Sequence, residues 1–349
     1  MSEKLNVIQI GTAHAHAAGA TKTLRSLSSV FRIMAVGEPN VDQREALRCN
    51  PLYQGLRICS VEEALSIEGL DAAVIETAEE DLTRYAIQAA ERGLHVQMDK
   101  PGGTDLREFE ILIDLLRGKQ LAFQPGYMYR FNPAIQKAVQ LVEDGVIGRI
   151  ISVEAHMSIH QGSGFNRSLD RFPGGMMFFL GCHLVDLLCR ICGKPTEILP
   201  LNCSGDGSGS LNYGMAFYRY PNGVSFVKST STEINGFLRR QLVITGQLGT
   251  VEIKPLELFI PEDTDFLTTS LWLSLKQNEK SPNFDCSQVL EFPRFKRYDD
   301  MFLHFARMVR GETGCTVDYD YELSVYRMLL QSCGVEVSDR KESFHTQET

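Results

Sequence analysis

The chain has 349 residues, 43% of them hydrophobic and 23% charged, which excludes a disordered, collagenous or membrane-embedded protein. At about 150 residues per domain, this length predicts two domains. The 35 basic and 44 acidic residues give a net charge of −9, which argues against nucleic acid and anionic membranes as partners. An odd count of nine cysteines and an N-terminus without a signal-peptide pattern predict a cytoplasmic protein with reduced thiols.

The first 125 residues alternate between short apolar runs and segments of helical composition. This alternation, with short connections, predicts a doubly wound parallel sheet of the Rossmann type, an α/β fold that binds nucleotides, over residues 1–125. The predicted strands are 5–10, 31–38, 71–77, 94–101 and 121–127, and the predicted helices are 15–27, 41–48, 60–65, 81–92 and 105–118.

The pattern changes after residue 125, where longer strand-like runs replace the regular alternation. We predict a second, α+β domain over 126–337, built on a large open and mostly antiparallel sheet, followed by a frayed polar tail at 338–349. The predicted helices are 133–144, 174–192, 298–310 and 320–334, and the predicted strands are 150–160, 196–203, 213–220, 223–232, 237–245 and 249–253.

The turn after the first predicted strand, GTAHAH at 11–16, lies where a dinucleotide-binding fold brings its backbone close to a pyrophosphate. Of the G-x-G-x-x-G pattern only Gly11 remains, because Ala13 and His16 occupy the other two positions, so an ordinary strand-to-helix turn is an equal alternative. Glu38 ends the second predicted strand, where an acid binds both ribose hydroxyls and repels a 2′-phosphate. Glu38 therefore favours NAD over NADP. The alternative is that Glu38 is only a solvated residue at the end of a strand.

The segment Asp99-Lys100-Pro101 ends the fourth predicted strand, at the edge where open α/β sheets bind their ligands. A lysine at this edge can donate a hydrogen bond to a substrate hydroxyl, and burial can lower its pKa into a range useful for proton transfer. A lone Lys-Pro pair is usually only a turn, so the segment is a candidate site by its position rather than by its composition.

The predicted helix 174–192 carries a second group suited to proton transfer. Phe179, His183 and Asp186 are spaced by four and three residues, so they can share one helix face. Histidine exchanges a proton near pH 7, and Asp186 could fix its tautomer. A single helical histidine is nevertheless more often a packing residue than a catalyst.

These segments occur in the order found in the Gfo/Idh/MocA oxidoreductases, the family of glucose–fructose oxidoreductase and inositol dehydrogenase, and the chain resembles that family from about Asn6 to Val335. Five ordered matches are far more specific than any one of them. They are DKPGG (99–103), GYMYRFNPA (126–134), GVIGRIISVEA (145–155), GGMMFFLGCHLVDLL (174–188) and ITGQLGTVEI (244–253).

The resemblance implies hydride transfer between NAD(P) and a hydroxyl or carbonyl carbon of a sugar, polyol or cyclitol. Lys100 would orient the hydroxyl, His183 would be the acid/base and Asp186 would support them; pairing of the second-domain sheets would give a homodimer or homotetramer. The residues assigned to the cofactor are Gly11, Thr12, Ala13, His14, Glu38, Thr77, Asp99, Lys100 and Pro101, and those assigned to the substrate are Tyr127, Arg130, His156, His160, Phe179 and His183.

Phe179 stands where the family has an aspartate one turn before the histidine, and this departure and the altered turn at 11–16 motivate one alternative, a non-catalytic regulator that binds NAD or a sugar on the same fold. A second alternative is an NAD-dependent glycosidase, since some relatives in the family use transient oxidation to cleave a glycoside. Two spacings typical of metal sites, Cys189-x-x-Cys192 and the pair His156 and His160, lack further ligands nearby in the sequence, so no metal is predicted.

Overall fold

The computed structural model describes residues 3–276, 287–312, 314 and 316–337, so the predicted tail at 338–349 lies outside the described residues. The first half of the chain forms parallel strands connected by helices. The strands are β1 Leu5–Ile10, β2 Phe31–Gly37, β3 Ile58–Cys59, β4 Ala72–Ile75, β5 His95–Met98 and β6 Phe123–Pro125, and the helices are α1 Ala17–Ser26, α2 Val41–Arg48, α3 Val61–Leu65, α4 Leu82–Glu91 and α5 Leu106–Gly118.

The six strands pair in the order β3-β2-β1-β4-β5-β6, and every pair is parallel. All four residues of β4 are buried, because helices cover both faces of the sheet. The predicted Rossmann-type sheet is therefore confirmed. The sequence missed β3, since two residues are too few to produce a periodic pattern.

The second half of the chain builds a separate sheet and a helical layer against it. The strands are β7 Ile150–His156, β8 Glu197–Cys203, β9 Tyr213–Tyr220, β10 Gly223–Thr230, β11 Gln241–Gly246, β12 Gly249–Ile253, β13 Leu258–Ile260, β14 Asp263–Thr268, β15 Ser270–Leu275 and β16 Ser287–Glu291, and the helices are α6 Pro133–Glu143, α7 Ser163–Ser168, α8 Cys182–Cys192, α9 Asp299–Val309 and α10 Tyr319–Ser332.

Eight of these strands pair in the order β16-β15-β12-β11-β7-β10-β9-β8, while β13 and β14 form a hairpin of their own. All neighbours in the large sheet are antiparallel except β7 and β10, which confirms the predicted α+β class. The sequence did not predict β13 to β16, whose short runs are interrupted by polar residues.

Several predicted strands are shorter in the structure, and two of these differences lie in the second sheet next to candidate residues. The strand predicted over 150–160 ends at His156, and His160 makes only an isolated bridge to Thr232. The strand predicted over 237–245 begins at Gln241, because the four preceding residues form a 3₁₀ turn. His156 and His160 therefore do not share one regular strand.

The helix predicted over 174–192 begins later than expected. Gly174 and Gly175 have φ values of +66° and +54°, which an α-helix does not accommodate, and a π-helical turn at 177–181 leads into α8. Tyr326 of α10 donates a hydrogen bond of 3.0 Å to the carbonyl oxygen of Gly103. Helix α10 therefore contacts both halves of the chain and holds α8 opposite the strand ends of the first sheet.

All seven described cysteines are unpaired, including Cys189 and Cys192. Burial raises the pKa of the Cys189 thiol to about 12 and that of the Cys192 thiol to about 11, so both remain protonated and poorly reactive near neutral pH. None of the helices in the described ranges combines the length and apolar character needed to cross a bilayer.

Candidate functional site

The turn after β1 is shaped by a close approach between strand ends. Gly11 has a φ of +81°, and a β-carbon at this position would lie 2.5 Å from Cγ2 of Thr77 at the end of β4. Thr12 donates a hydrogen bond of 2.6 Å from Oγ1 to Oε2 of Glu38, the buried acid after β2. The backbone N–H groups of Thr12 and Ala13 have no hydrogen-bond acceptor among the described residues. These free donors and the carboxylate fit the diphosphate and ribose of a dinucleotide.

The two histidines of the turn contact residues at the ends of β4 and β5. The Nε2 atom of His14 lies 3.1 Å from the carbonyl oxygen of Lys100, and its Nδ1 atom lies 3.2 Å from Oδ2 of Asp99. The Nδ1 atom of His16 lies 3.1 Å from the same carboxylate oxygen. The ring of the histidine in place of the third glycine therefore joins a polar cluster formed with His14 and Asp99.

Two carboxyl groups beside these histidines, those of Glu76 and Asp99, have pKa values shifted in opposite directions. Burial, reinforced by the neighbouring Asp99, raises the pKa of Glu76 well above its usual value. Burial alone would raise the pKa of Asp99 as well, but His14 and His16 hold it well below its usual range. Near neutral pH we therefore assign the charge to Asp99 and the proton to Glu76.

Glu76 and His16 were not predicted as site residues. The signal for Glu76 is an acid directly after the apolar strand β4, and the signal for His16 is a large side chain at a position that usually requires glycine. Each signal marks a residue that is unusual at its position, but neither shows which side chain that residue contacts in the folded protein.

Lys100 is 2% exposed and lies against the π-helical turn before α8. Its Nζ atom donates a hydrogen bond of 2.9 Å to the carbonyl oxygen of Phe179 and lies 4.7 Å from the centre of that ring. Phe179 itself packs against the rings of Phe165 and Phe172, at 5.4 and 5.8 Å between centroids. The residue in place of the family aspartate therefore contacts the lysine through its backbone and its ring face.

His183 is 1% exposed and faces the same edge of the first sheet. Both of its ring nitrogens are buried and have no hydrogen-bond partner among the described residues. The ring lies 5.2 Å from that of Tyr129, 6.0 Å from that of Tyr127 and 6.3 Å from that of His16, measured between centroids. Burial lowers the pKa of His183 well below its usual value, and the positive charge of Lys100 adds to this effect. An unpartnered, uncharged imidazole is suited to accept a proton from a ligand.

Asp186 does not hydrogen-bond to His183, so the expectation that it fixes the histidine tautomer is not met. Its carboxylate accepts hydrogen bonds from the guanidinium of Arg130 at 2.6 to 3.0 Å. Arg130 also donates to Glu322 of α10 at 2.6 and 2.9 Å. Arg130 was predicted to contact substrate, but two buried carboxylates already engage its guanidinium, and we assign it a structural role.

His156 and His160 were also predicted to contact substrate; His160 is exposed and bridges Thr232, and the structure places His156 away from the buried polar cluster. In β7, Val153 and Ala155 are buried beneath the helices, so the alternation of side chains places His156 on the opposite face. There its ring lies 5.6 Å from that of Phe226 on the neighbouring strand. Sequence spacing shows that side chains alternate along a strand, but it does not show which face of the strand the helices cover.

Two family models match the chain: "Oxidoreductase family, NAD-binding Rossmann fold" over residues 5–127 and "GFO/IDH/MocA C-terminal domain" over residues 135–252. Among curated proteins, inositol 2-dehydrogenase 2 of Saccharopolyspora erythraea is 25% identical over 50% of this chain and 50% of its own length. D-xylose 1-dehydrogenase (NADP(+)) 2 of Haloferax volcanii is 28% identical over 40% of this chain and 43% of its own length. The chain thus aligns with half or less of these two relatives.

Among solved structures, a 3-ketoreductase from Actinomadura kijaniata in complex with NADP and TDP-benzene superposes with a TM-score of 0.76. It is 15% identical, and the match covers 95% of this chain and 97% of the other. An oxidoreductase from Thermotoga maritima superposes with a TM-score of 0.73 at 18% identity, over 95% of this chain and 96% of the other. Such low identities establish the shared fold alone, whereas the two family models together span both halves of the sequence, and we conclude that the chain belongs to the Gfo/Idh/MocA family of oxidoreductases.

Proposed function

We propose that the chain is an NAD-dependent dehydrogenase acting on a hydroxyl or carbonyl carbon of a sugar, polyol or cyclitol. The observation that carries the proposal is that two buried side chains with exchangeable protons, Lys100 and His183, lie at the carboxyl edge of the parallel sheet. That edge is where open α/β sheets bind their ligands. Names of the curated relatives, which include an inositol and a xylose dehydrogenase, support the carbohydrate class.

The chemistry divides between these two residues. A bound nicotinamide supplies the hydride acceptor or donor. Lys100 has donors beyond the one used on Phe179, so it can hold the substrate hydroxyl in place and stabilise alkoxide character on its oxygen. His183, with both nitrogens free of protein partners in the described structure, takes the hydroxyl proton during oxidation and returns it during reduction.

The proposal is tested by calorimetric titration with NAD and NADH, followed by turnover assays across a panel of sugars, polyols and cyclitols. We expect NAD(H) binding and turnover of at least one member of the panel. Binding without turnover across the panel would favour the non-catalytic regulator. Release of nitrophenol from aryl glycosides without net NADH would favour the glycosidase, and absence of NAD(H) binding would remove both the dehydrogenase and the glycosidase.

Replacing Glu38 with serine is expected to weaken NAD binding by about tenfold or more, because charge-assisted hydrogen bonds to the ribose contribute about 1.5–3 kcal/mol. Binding of NADP should improve relative to NAD, since the repelling carboxylate is gone. The dissociation constants of both nucleotides measure this change. The exposed Glu68 gives the matched control, and equal NAD binding by wild type and Glu38→Ser would show that Glu38 does not contact the ribose.

The pH profile of substrate oxidation should report the lowered pKa of His183. The charged or titratable groups affecting that pKa are Lys100, His16, Asp99 and Arg240. Because oxidation needs the unprotonated imidazole, kcat/KM should be flat near neutral pH and fall only well below the usual histidine value of 6.5. Reduction needs the protonated form, so its rate should decline as the pH rises. An acid limb at or above 6.5 for oxidation would contradict the assignment.

A further inference from the structure

We propose that His14, His16, Asp99 and Glu76 form a binding site for one divalent transition-metal ion, with Zn²⁺ as the best match. The site joins the turn after β1 to the ends of β4 and β5. It borders the proposed proton-transfer pair, because His14 contacts the carbonyl oxygen of Lys100 and the ring of His16 lies 6.3 Å from that of His183. The proposal does not depend on the dehydrogenase activity.

The first argument is geometric. One ligand atom from each of His14, His16 and Asp99 can be chosen so that all lie within 4.8 Å of one another. Oδ2 of Asp99 lies 3.2 Å from Nδ1 of His14 and 3.1 Å from Nδ1 of His16. Ligands about 2.0–2.1 Å from a tetrahedral zinc ion are about 3.3 Å apart. The two separations therefore differ from those of a zinc site by only a few tenths of an ångström.

The second argument is the position of the proton on His14. Its Nε2 atom faces the carbonyl oxygen of Lys100 at 3.1 Å, and a carbonyl only accepts, so Nε2 carries a proton. The Nδ1 atom of the same ring accepts from the backbone N–H of His16 at 3.2 Å and also lies 3.2 Å from Oδ2 of Asp99. A neutral ring would thus direct a lone pair at a carboxylate oxygen.

A second ring proton or a metal ion between Nδ1 of His14 and Oδ2 of Asp99 removes this conflict. The metal ion also produces the usual arrangement of a metal-bound histidine, in which one ring nitrogen binds the ion and the other donates to a backbone carbonyl. The carbonyl oxygen of Lys100 is already in that position.

The third, independent observation is an unpartnered oxygen of Glu76. This residue is 2% exposed, and its Oε2 atom is buried without a hydrogen-bond partner among the described residues. The same atom lies 3.8 Å from Nδ1 of His14. An ion at the centre of the cluster would replace the proton assigned to Glu76, bind this oxygen and complete a set of two imidazoles and two carboxylates, a donor set suited to zinc and neighbouring ions.

The experiment uses the full chain, stripped of metal with a chelator and titrated with Zn²⁺ and with Co²⁺. We expect one ion per chain, a rise in the unfolding temperature on Zn²⁺ binding, and a visible Co²⁺ spectrum typical of four-coordinate nitrogen and oxygen ligation. His16→Asn and Asp99→Asn should each lower the affinity by more than the roughly 10–100-fold caused by loss of a second-shell partner. His156→Asn, on the far face of the large sheet, should retain the wild-type affinity.

The proposal is overturned if the wild-type chain binds neither ion stoichiometrically, or if both ligand variants bind as tightly as wild type. A sulfur-to-cobalt charge-transfer band would assign the ion to cysteines instead and would also overturn it. Unfolding of each metal-free variant is compared with that of the metal-free wild type, and Glu76→Gln replaces any variant that does not fold. NAD(H) binding and turnover are measured separately on metal-free chain, so failure of the metal site and failure of the dehydrogenase are distinguishable.

Discussion

Lys100→Met is expected to lower kcat by about 10²–10⁴-fold, the usual contribution of a positioned proton-handling group. The same change should leave the protein at least as stable as wild type. Lys100 is 2% exposed, and none of the carboxylates in the described structure forms an ion pair with its Nζ atom, so burying the ammonium costs desolvation that methionine avoids. Steady-state kinetics on an active member of the substrate panel, together with urea unfolding, measure both effects.

Lys194→Met is the matched control for this experiment, because Lys194 is exposed on the loop after α8. The control should change neither turnover nor stability by a measurable amount. Retention of wild-type kcat by Lys100→Met would contradict the role assigned to the lysine. Loss of turnover accompanied by loss of stability would show that the lysine acts through the fold rather than through the substrate.

Arg130→Met is expected to destabilise the protein by about 3–5 kcal/mol, because it leaves the carboxylates of Asp186 and Glu322 buried without their common cation. The side chains of these three residues are 11%, 1% and 9% exposed, so water cannot replace the lost partner. The shift in the midpoint of urea unfolding measures the loss.

The pH dependence of this loss follows from the direction of the Glu322 pKa. Burial already raises that pKa in the wild type despite Arg130, so the folded state gains stability as the pH falls and loses it as the pH rises. Removing the arginine strengthens the upward shift. The loss of unfolding free energy caused by Arg130→Met should therefore be largest near about pH 8 and smaller towards about pH 5.

Arg219→Met provides the control, because Arg219 pairs with Glu197 on the surface, where their side chains are 69% and 59% exposed. An exposed ion pair contributes at most about 1 kcal/mol, so this variant should unfold close to the wild type. Equal effects of the two substitutions would show that the Arg130 cluster does not stabilise the fold.

The sequence by itself determined the class of both domains and the position of the main candidate groups. Alternating short apolar runs specify a covered parallel sheet, because only such a sheet buries strands on both faces. Lys100 follows a strand of that sheet, and the carboxyl ends of parallel strands meet at one edge, so its location at this edge follows from local order. The ordered motifs similarly placed His183 in a helix of the second domain, as the structure has it.

Only the tertiary structure decided which of these side chains meet. Asp186 and His183 are three residues apart, yet Asp186 pairs with Arg130 because α10 brings Glu322 to the same point. The cluster of His14, His16, Asp99 and Glu76 joins the ends of three strands that are far apart in the chain, so no local spacing in the sequence predicts it. Periodicity reports which residues share a face of one element, whereas the identity of the opposing group depends on how elements pack across the core.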